Sequence, residues 1–120
     1  MTRNLITDVP GVRVGNASDA RLASGATVVV FDQPAVAAAA VRGGGPGTRE
    51  SALLDPAMTV QGIDAVALSG GSAYGLDTAS GVQAWLREQG RGFGGRTALV
   101  PSVPAGMVST RCDGSGKTSR

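Results

Sequence analysis

Histidine is absent from this sequence, and cysteine is nearly so. The 120 residues contain no His and a single Cys, Cys112. Without histidine the chain cannot by itself build a Ser-His-Asp triad or a histidine-based zinc site. One cysteine cannot form an internal disulfide, which is typical of a reducing compartment. Any hydrolase here must therefore use another base or be incomplete, and we expect no metal ion or other cofactor.

Aromatic residues, charge and long apolar runs are also scarce. The sequence has one Trp, one Tyr and two Phe, and its net charge is only +2. It has no basic stripe with interleaved aromatics, which disfavours nucleic-acid binding. No run of about 18 apolar residues is present, so we expect no membrane span. The first ten residues lack the apolar stretch of a signal peptide. Together these absences predict a cytoplasmic protein.

The sequence is instead rich in glycine, alanine and valine. The pattern of these residues predicts a mixed α/β fold. The predicted strands are 12–15, 26–31, 63–69 and 97–100, with 35–41 returning as a hairpin partner of the strand before it. A short helix is predicted for 48–54 and a long one for 74–89. Gly90 is a natural C-terminal cap for the long helix. Gly81 lies inside that helix, and we expect it there because the helix packs closely on a sheet.

The strongest local signal is the segment Gly70–Gly75 (GGSAYG), a glycine-rich turn between a predicted buried strand and the predicted long helix. Such a turn can direct N–H groups at a ligand, and a helix N-terminus favours negative charge. The turn would then bind a carboxylate or phosphate, or stabilise an oxyanion. A turn that only packs against its neighbours is an equally good interpretation. The spacing fits neither G-x-G-x-x-G nor G-x-S-x-G.

Two further glycine-rich segments have weaker implications. Residues 42–50 (RGGGPGTRE) could hold an anion between two arginines, but we favour a crossover loop with Arg49 and Glu50 on a solvated helix face. Residues 114–118 (GSGKT) imitate a phosphate-binding loop, yet Arg111 stands where that motif needs Gly. Three isolated carboxylates are expected to be solvated or to cap helices: Asp8, Asp64 and Asp77.

Read in order, these segments resemble the P1 family of aminopeptidases, which is peptidase family S58 and includes L-aminopeptidase/D-esterases and β-peptidyl aminopeptidases. The matching segments are 5–15 (LITDVPGVRVG), 24–30 (SGATVVV), 41–44 (VRGG), 46–50 (PGTRE), 53–56 (LLDP), 68–77 (LSGGSAYGLD), 81–82 (GV) and 85–86 (WL). Several are individually weak, but their order and spacing are specific over nearly the whole chain.

The resemblance implies a partial α-β-β-α sandwich like that of the N-terminal-nucleophile hydrolases. Family members cut themselves once to free a Ser or Thr as a new N-terminus, and that residue attacks small peptides, amides or esters without needing histidine. The nucleophile lies downstream of the matched region, so the chain alone is expected to be inactive. Gly70, Gly71 and Ser72 would line the substrate site, and the Tyr74 hydroxyl would donate to an oxyanion or orient the nucleophile. Full-length relatives are expected to form homo-oligomers.

The sequence departs from the family pattern at two places. Position 16 is Asn where the family usually has His, and Val108 is followed by polar residues instead of Phe-Asp. Back-translation with one base restored inside the Val108 codon reads Val-Phe-Asp-Ala-Val-Arg-Arg-Leu, which is family-like. We therefore predict that residues 1–108 are the N-terminal part of a P1 aminopeptidase domain. Residues 109–120 would be an unrelated tail, frameshifted or disordered.

Two other interpretations remain open from the sequence. The chain is either a small α/β module that binds an anionic ligand at the Gly70-Gly71-Ser72 turn, or one half of a split enzyme completed by a second chain.

Overall fold

The computed structural model describes residues 3–94 and 98–108. Its strands are β1 (Val12–Asp19), β2 (Ser24–Ala35), β3 (Thr48–Arg49), β4 (Ile63–Ser69), β5 (Phe93–Gly94), β6 (Leu99–Val100) and β7 (Ala105–Met107). One α-helix, α1 (Thr78–Glu88), follows β4, and short 3₁₀ turns lie at Ile6–Asp8, Ser51–Leu54 and Ser72–Asp77. The predicted tail, with Cys112 and the GSGKT segment, lies outside the described residues.

Five strands form the main sheet in the order β1-β2-β4-β7-β3. β1 and β2 make a hairpin whose register runs from Val12 opposite Phe31 to Asp19 opposite Ser24. β4 is antiparallel to β2 and parallel to β7. β2 contains the β-branched run 27–30 (TVVV), which packs well on a pleated surface, and β4 contributes Ile63 and Val66 beside its buried alanines.

Helix α1 covers one face of this sheet, and the core lies between them. The core consists of Val30, Ala65, Ala67, Ala79, Leu86, Val103 and Ala105. Alanine on β4 lets the helix approach the sheet closely. Leu86 and Val103 are the largest side chains that are fully buried. Because side chains alternate along a strand, the residues between these core positions point to the opposite face.

No helix among the described residues covers that opposite face, which we call the open face. A row of three valines, Val14, Val29 and Val66, crosses it from β1 to β4 and is only partly buried. Leu68, further along β4, is 52% exposed. The described chain is therefore a helix layer on one sheet with an apolar outer face. This mixed α/β arrangement is the one expected for part of an α-β-β-α sandwich.

Three of the predicted strands were correct in type, and two of these three were predicted too short. Residues 63–69 form β4 as predicted, while the predicted strands 12–15 and 26–31 extend to become β1 and β2. The predicted hairpin at 35–41 was wrong, because the two edges of β2 are already taken by β1 and β4. Part of the strand predicted at 97–100 is present: Leu99 pairs with Gly94, and Val100 pairs with Phe93. Thr97 lies outside the described residues.

The helix predictions were partly wrong. Residues 48–54 form β3 and a 3₁₀ turn instead of a helix, since Glu50 between them has φ 57 and breaks the regular backbone. α1 begins at Thr78 and not at Tyr74, because Ser72–Asp77 wind as a 3₁₀ turn. Gly90 ends the helix as predicted. Its φ is +73, its N–H donates to the Arg87 carbonyl at 2.9 Å, and the N–H of Arg91 donates to Leu86 at 3.0 Å.

Two features were not expected from the sequence. β7 was missed because Pro104 and Gly106 hide a strand that is recruited by pairing with β4 and β3. Gly81 does not pack on the sheet: a Cβ built there meets nothing within 4 Å. The expected reason for this glycine was therefore wrong for the described chain.

The longest described helix has 11 residues. Within residues 3–94 and 98–108, no helix has the length and apolarity needed to cross a bilayer.

Candidate functional site

The glycine-rich turn connects the C-terminal end of β4 to the helical region. Gly71 has φ +88, a conformation that glycine adopts without strain. Ser72 follows at φ 57, which is uncommon for a residue with a side chain. A Cβ at position 75 would collide with the Gly70 carbonyl oxygen. The backbone is thus folded tightly on itself, which explains the requirement for glycine at these positions.

Two of the three main-chain donors of Gly70-Gly71-Ser72, the first half of the turn, are engaged by neighbouring segments. The Gly70 N–H donates to the Gly25 carbonyl at 2.9 Å, and the Ser72 N–H donates to the Val108 carbonyl at 3.3 Å. The Val108 N–H in turn donates to Ser69 at 2.8 Å. The turn is therefore fixed to β2 and to the residue after β7. Among the described residues this leaves Gly71 as the remaining main-chain donor of these three residues, which weakens the interpretation as an anion-binding module.

Side-chain hydroxyls fasten the turn to the start of α1. Thr78 donates from Oγ1 to Ser69 Oγ at 3.1 Å, and Ser69 donates to the Gly70 carbonyl at 2.8 Å. These two bonds hold the last residue of β4 against the first residue of the helix. Neither contact was predicted from the sequence.

Tyr74 lies on the 3₁₀ turn and is 92% exposed. Its hydroxyl is therefore accessible to a ligand or to a further part of the polypeptide that lies over the turn. Gly70, Gly71 and Ser72 are partly buried beside it. The structure thus brings all four predicted site residues together at the end of β4.

Arg49 and Glu50 do not lie on a solvated helix face, and that expectation was wrong. Arg49 donates to Ser80 Oγ at 2.7 Å and to Gln83 Oε1 at 3.2 Å, which joins β3 to α1. Glu50 accepts from the Val103 N–H at 3.1 Å and from Gln83 Nε2 at 3.3 Å. The segment after the glycine loop is therefore a structural clamp on the helix.

Asp64 also differs from its expected solvated or capping role. It is 4% exposed and pairs with Arg91 at 3.2 Å. The pair lines a cleft of about 610 Å³ at the start of β4, seven residues away from the glycine-rich turn at its other end. Asp8 does cap: its Oδ2 accepts from the N–H groups of Arg3 and Leu5 at 2.7 and 3.1 Å.

The hairpin that joins β1 to β2 contains a carboxylate with a shifted pKa. Asp19 Oδ1 accepts from the N–H groups of Arg21 and Leu22 at 2.8 and 3.3 Å. These backbone hydrogen bonds, first that of Arg21, hold the pKa of Asp19 below its usual value of 3.8. Among the described residues, no three His, Cys, Asp or Glu side chains are grouped so that they could hold a metal ion.

Several known proteins are similar to this chain in sequence. The pattern that defines Peptidase family S58 matches residues 4–115. Proteins named as uncharacterized aminopeptidases from Mycobacterium bovis and Mycobacterium tuberculosis are 49% identical over 113 residues, which cover 88% of this chain and 33% of each relative. One from Mycobacterium leprae is 48% identical over the same share of this chain and 31% of its own length.

The chain thus spans about a third of the length of the curated relatives that it matches. The family match includes β1, β2, β4, the glycine-rich turn and α1. This 120-residue chain belongs to peptidase family S58, a family of hydrolases.

Proposed function

We propose that this chain is the N-terminal portion of a self-processing serine-type aminopeptidase or amidase. Its substrates would be small peptides, amides or esters, from which it removes N-terminal residues. The observation that carries this proposal is the family match over residues 4–115, to which the aminopeptidase names of the mycobacterial relatives add support. The nucleophile would use its own α-amino group or a nearby side chain as the base.

In this proposal the chain supplies one wall of the site. Gly70, Gly71 and Ser72 shape the substrate-binding turn, and among the described residues the Gly71 N–H is the remaining main-chain donor of these three. The exposed Tyr74 hydroxyl donates a hydrogen bond to the developing oxyanion or orients the nucleophile. The Ser69–Thr78 hydrogen bond keeps the turn and Tyr74 in a fixed relation to α1.

The nucleophile would come from the part of the family domain that this chain does not match. That part would also cover the open face with a second sheet along the Val14-Val29-Val66 row, because this row is apolar and only partly buried. We therefore expect the 120-residue chain alone to show no turnover. We further propose that the complete enzyme is cytoplasmic and forms homo-oligomers.

Residues 1–108 would be the N-terminal part of the family domain, and residues 109–120 would arise from a one-base slip at the Val108 codon. The structure describes the chain as far as Val108, whose carbonyl and N–H hold the glycine-rich turn. A natural continuation from this residue would therefore begin directly beside the proposed site.

The test is a Tyr74→Phe change in the catalytically active protein that carries this chain, assayed with alanine p-nitroanilide. Loss of an oxyanion donor lowers kcat by about 10²–10³-fold, with KM nearly unchanged. Phe93→Leu is a suitable control, since Phe93 is a half-exposed aromatic on β5, outside the turn. Unaltered turnover in Tyr74→Phe would rule out the hydroxyl role.

A further inference from the structure

One row of side chains crosses the whole sheet on the open face. Strand register places Asn16 of β1 opposite Thr27 of β2, Thr27 opposite Leu68 of β4, and Leu68 beside Gly106 of β7. Gly106 pairs with Thr48 on β3. This row lies next to the glycine-rich turn, since Leu68 is two residues before Gly70.

The row differs in character from the rest of the open face. The next row, Val14-Val29-Val66, is entirely apolar, as expected for a surface that packs against another layer. The end row instead presents polar groups at Asn16, Thr27 and Thr48. The change from the apolar valine row to polar groups beside the proposed site indicates that this end faces a ligand and not a packed layer.

Asn16 and Thr27 form a hydrogen-bonded pair within this row. Thr27 Oγ1 donates to Asn16 Oδ1 at 2.7 Å. Because the hydroxyl proton is used in this bond, the Thr27 oxygen keeps lone pairs that can accept. The Asn16 amide nitrogen donates to no atom of the described residues, and its side chain is exposed. The pair therefore offers one fixed donor and one acceptor to a ligand.

The pair opens into a cleft of about 310 Å³ that reaches the turn. Its walls include Asn16, Thr27, Leu68, Gly70 and Val108. Leu68 supplies an apolar wall between the polar pair and the turn, and the cleft has the volume of a small ligand or one amino-acid residue. No charged side chain lines it. A neutral polar ligand fits these walls better than an ion does.

We propose that Asn16 is a substrate-recognition residue that binds a main-chain or primary amide group in this cleft. Thr27 orients the Asn16 side chain through their hydrogen bond, and its hydroxyl oxygen accepts from the same amide group. An amide has one acceptor and N–H donors, which complement the Asn16 amide nitrogen and the Thr27 hydroxyl oxygen. The inference rests on the proposed function, because the cleft would hold the amide of a substrate whose scissile bond lies nearer the turn.

The test is a titration of the ¹⁵N-labelled 120-residue chain with N-acetylalaninamide, a neutral amide, followed by ¹H–¹⁵N spectra. The Asn16 side-chain NH₂ and the backbone N–H groups of Thr27 and Gly70 should shift together and saturate. Thr27→Val should weaken binding by about two- to tenfold, the effect of one lost neutral hydrogen bond. Thr27→Ser keeps the hydroxyl and should restore it. Thr59→Val makes the same chemical change outside this cleft and should leave the affinity unchanged.

The inference is overturned if no saturable shift occurs at Asn16, if the shifts map to residues outside the cleft, or if Thr27→Val binds as well as the unchanged chain. Binding is read without turnover, so its failure is distinct from failure of the Tyr74 test. Absent binding with a Tyr74-dependent enzyme would leave the proposed function standing. Binding without any effect of Tyr74→Phe would retain the amide site and remove the catalytic role of Tyr74.

Discussion

The carboxylate of Asp64, at the start of β4, is bound on both oxygens by segments distant in sequence. Arg91 Nη2 donates to Oδ1 at 3.2 Å, and the Ser102 N–H donates to Oδ2 at 3.0 Å. Asp64 thus joins the residue after the Gly90 cap to the strand that α1 covers. The other terminal nitrogen of Arg91, Nη1, is buried and has no hydrogen-bond partner within residues 3–94 and 98–108. The Asp64–Arg91 ion pair therefore links three segments of the fold, while one guanidinium nitrogen lacks a hydrogen bond within the described residues.

Removing one member of this pair should be far more damaging than replacing both. Asp64→Ala leaves the Arg91 guanidinium buried without its partner, and should lower the free energy of unfolding by about 3–5 kcal/mol. The double variant Asp64→Leu with Arg91→Met should lose clearly less, since no uncompensated charge remains. Urea unfolding of the three chains checks this. Equal losses in the single and double variants would show that the ion pair is not a coupled unit.

Two glycines of the helical region should respond to alanine in opposite directions. Gly81 is exposed within α1 and a Cβ there meets nothing, so Gly81→Ala should raise the free energy of unfolding by about 1 kcal/mol through helix propensity. Gly90 has φ +73, and Gly90→Ala should lower it by about 1–2 kcal/mol. Thermal unfolding of both variants is the measurement. Destabilisation by Gly81→Ala would mean that another part of the chain packs on this helix position.

Asp19 should make stability depend on acid pH. Its pKa is lowered in the folded chain, so its contribution is fully present above the unfolded-state value near 3.8 and is lost as pH falls through the lower folded-state value. Asp19→Asn should therefore be less stable than the parent chain at neutral pH and equal to it well below that folded-state pKa. The difference in unfolding midpoint between the two chains, measured across this range, should shrink with acid. A constant difference would assign the effect to something other than the charge.

Two leucines distinguish the packed layer from the open face. Leu86 on α1 is fully buried, and Leu86→Ala should lower the free energy of unfolding by about 2–5 kcal/mol. Leu68 on β4 is 52% exposed, so Leu68→Ala should cost well under 1 kcal/mol, within the usual range for surface positions. Chemical denaturation of both variants checks the contrast. A large loss at Leu68 would indicate that the open face is covered in solution, for instance by a second copy.

The sequence was a good guide where local patterns and tertiary demands agree. β4 is a continuous apolar run bounded by glycines, and its limits were predicted correctly. The Gly90 cap was predictable because a left-handed residue after a helix is a local requirement. The glycine-rich turn was also located by its composition, and the structure does bring Tyr74 beside it.

The rest could not be read locally, because it depends on pairing between distant segments. β7 exists only because β4 and β3 bind it, and its three residues (AGM) carry no strand signal. Asp64 was expected in solvent because its partner, Arg91, lies 27 positions away. The same holds for Asn16 and Thr27, which a hairpin register brings together. In each case the decisive contact is long-range, and only the family resemblance indicated that distant segments belong to one site.

The most direct test of the central claim is the DNA sequence of the gene through the Val108 codon and the region downstream. If this chain is the N-terminal portion of a family S58 peptidase, restoring one base at that codon should open a frame that begins Phe-Asp and encodes the remaining two-thirds of the domain, with a Ser or Thr at a self-cleavage junction. An intact frame, followed by DNA with no resemblance to the family, would contradict the account.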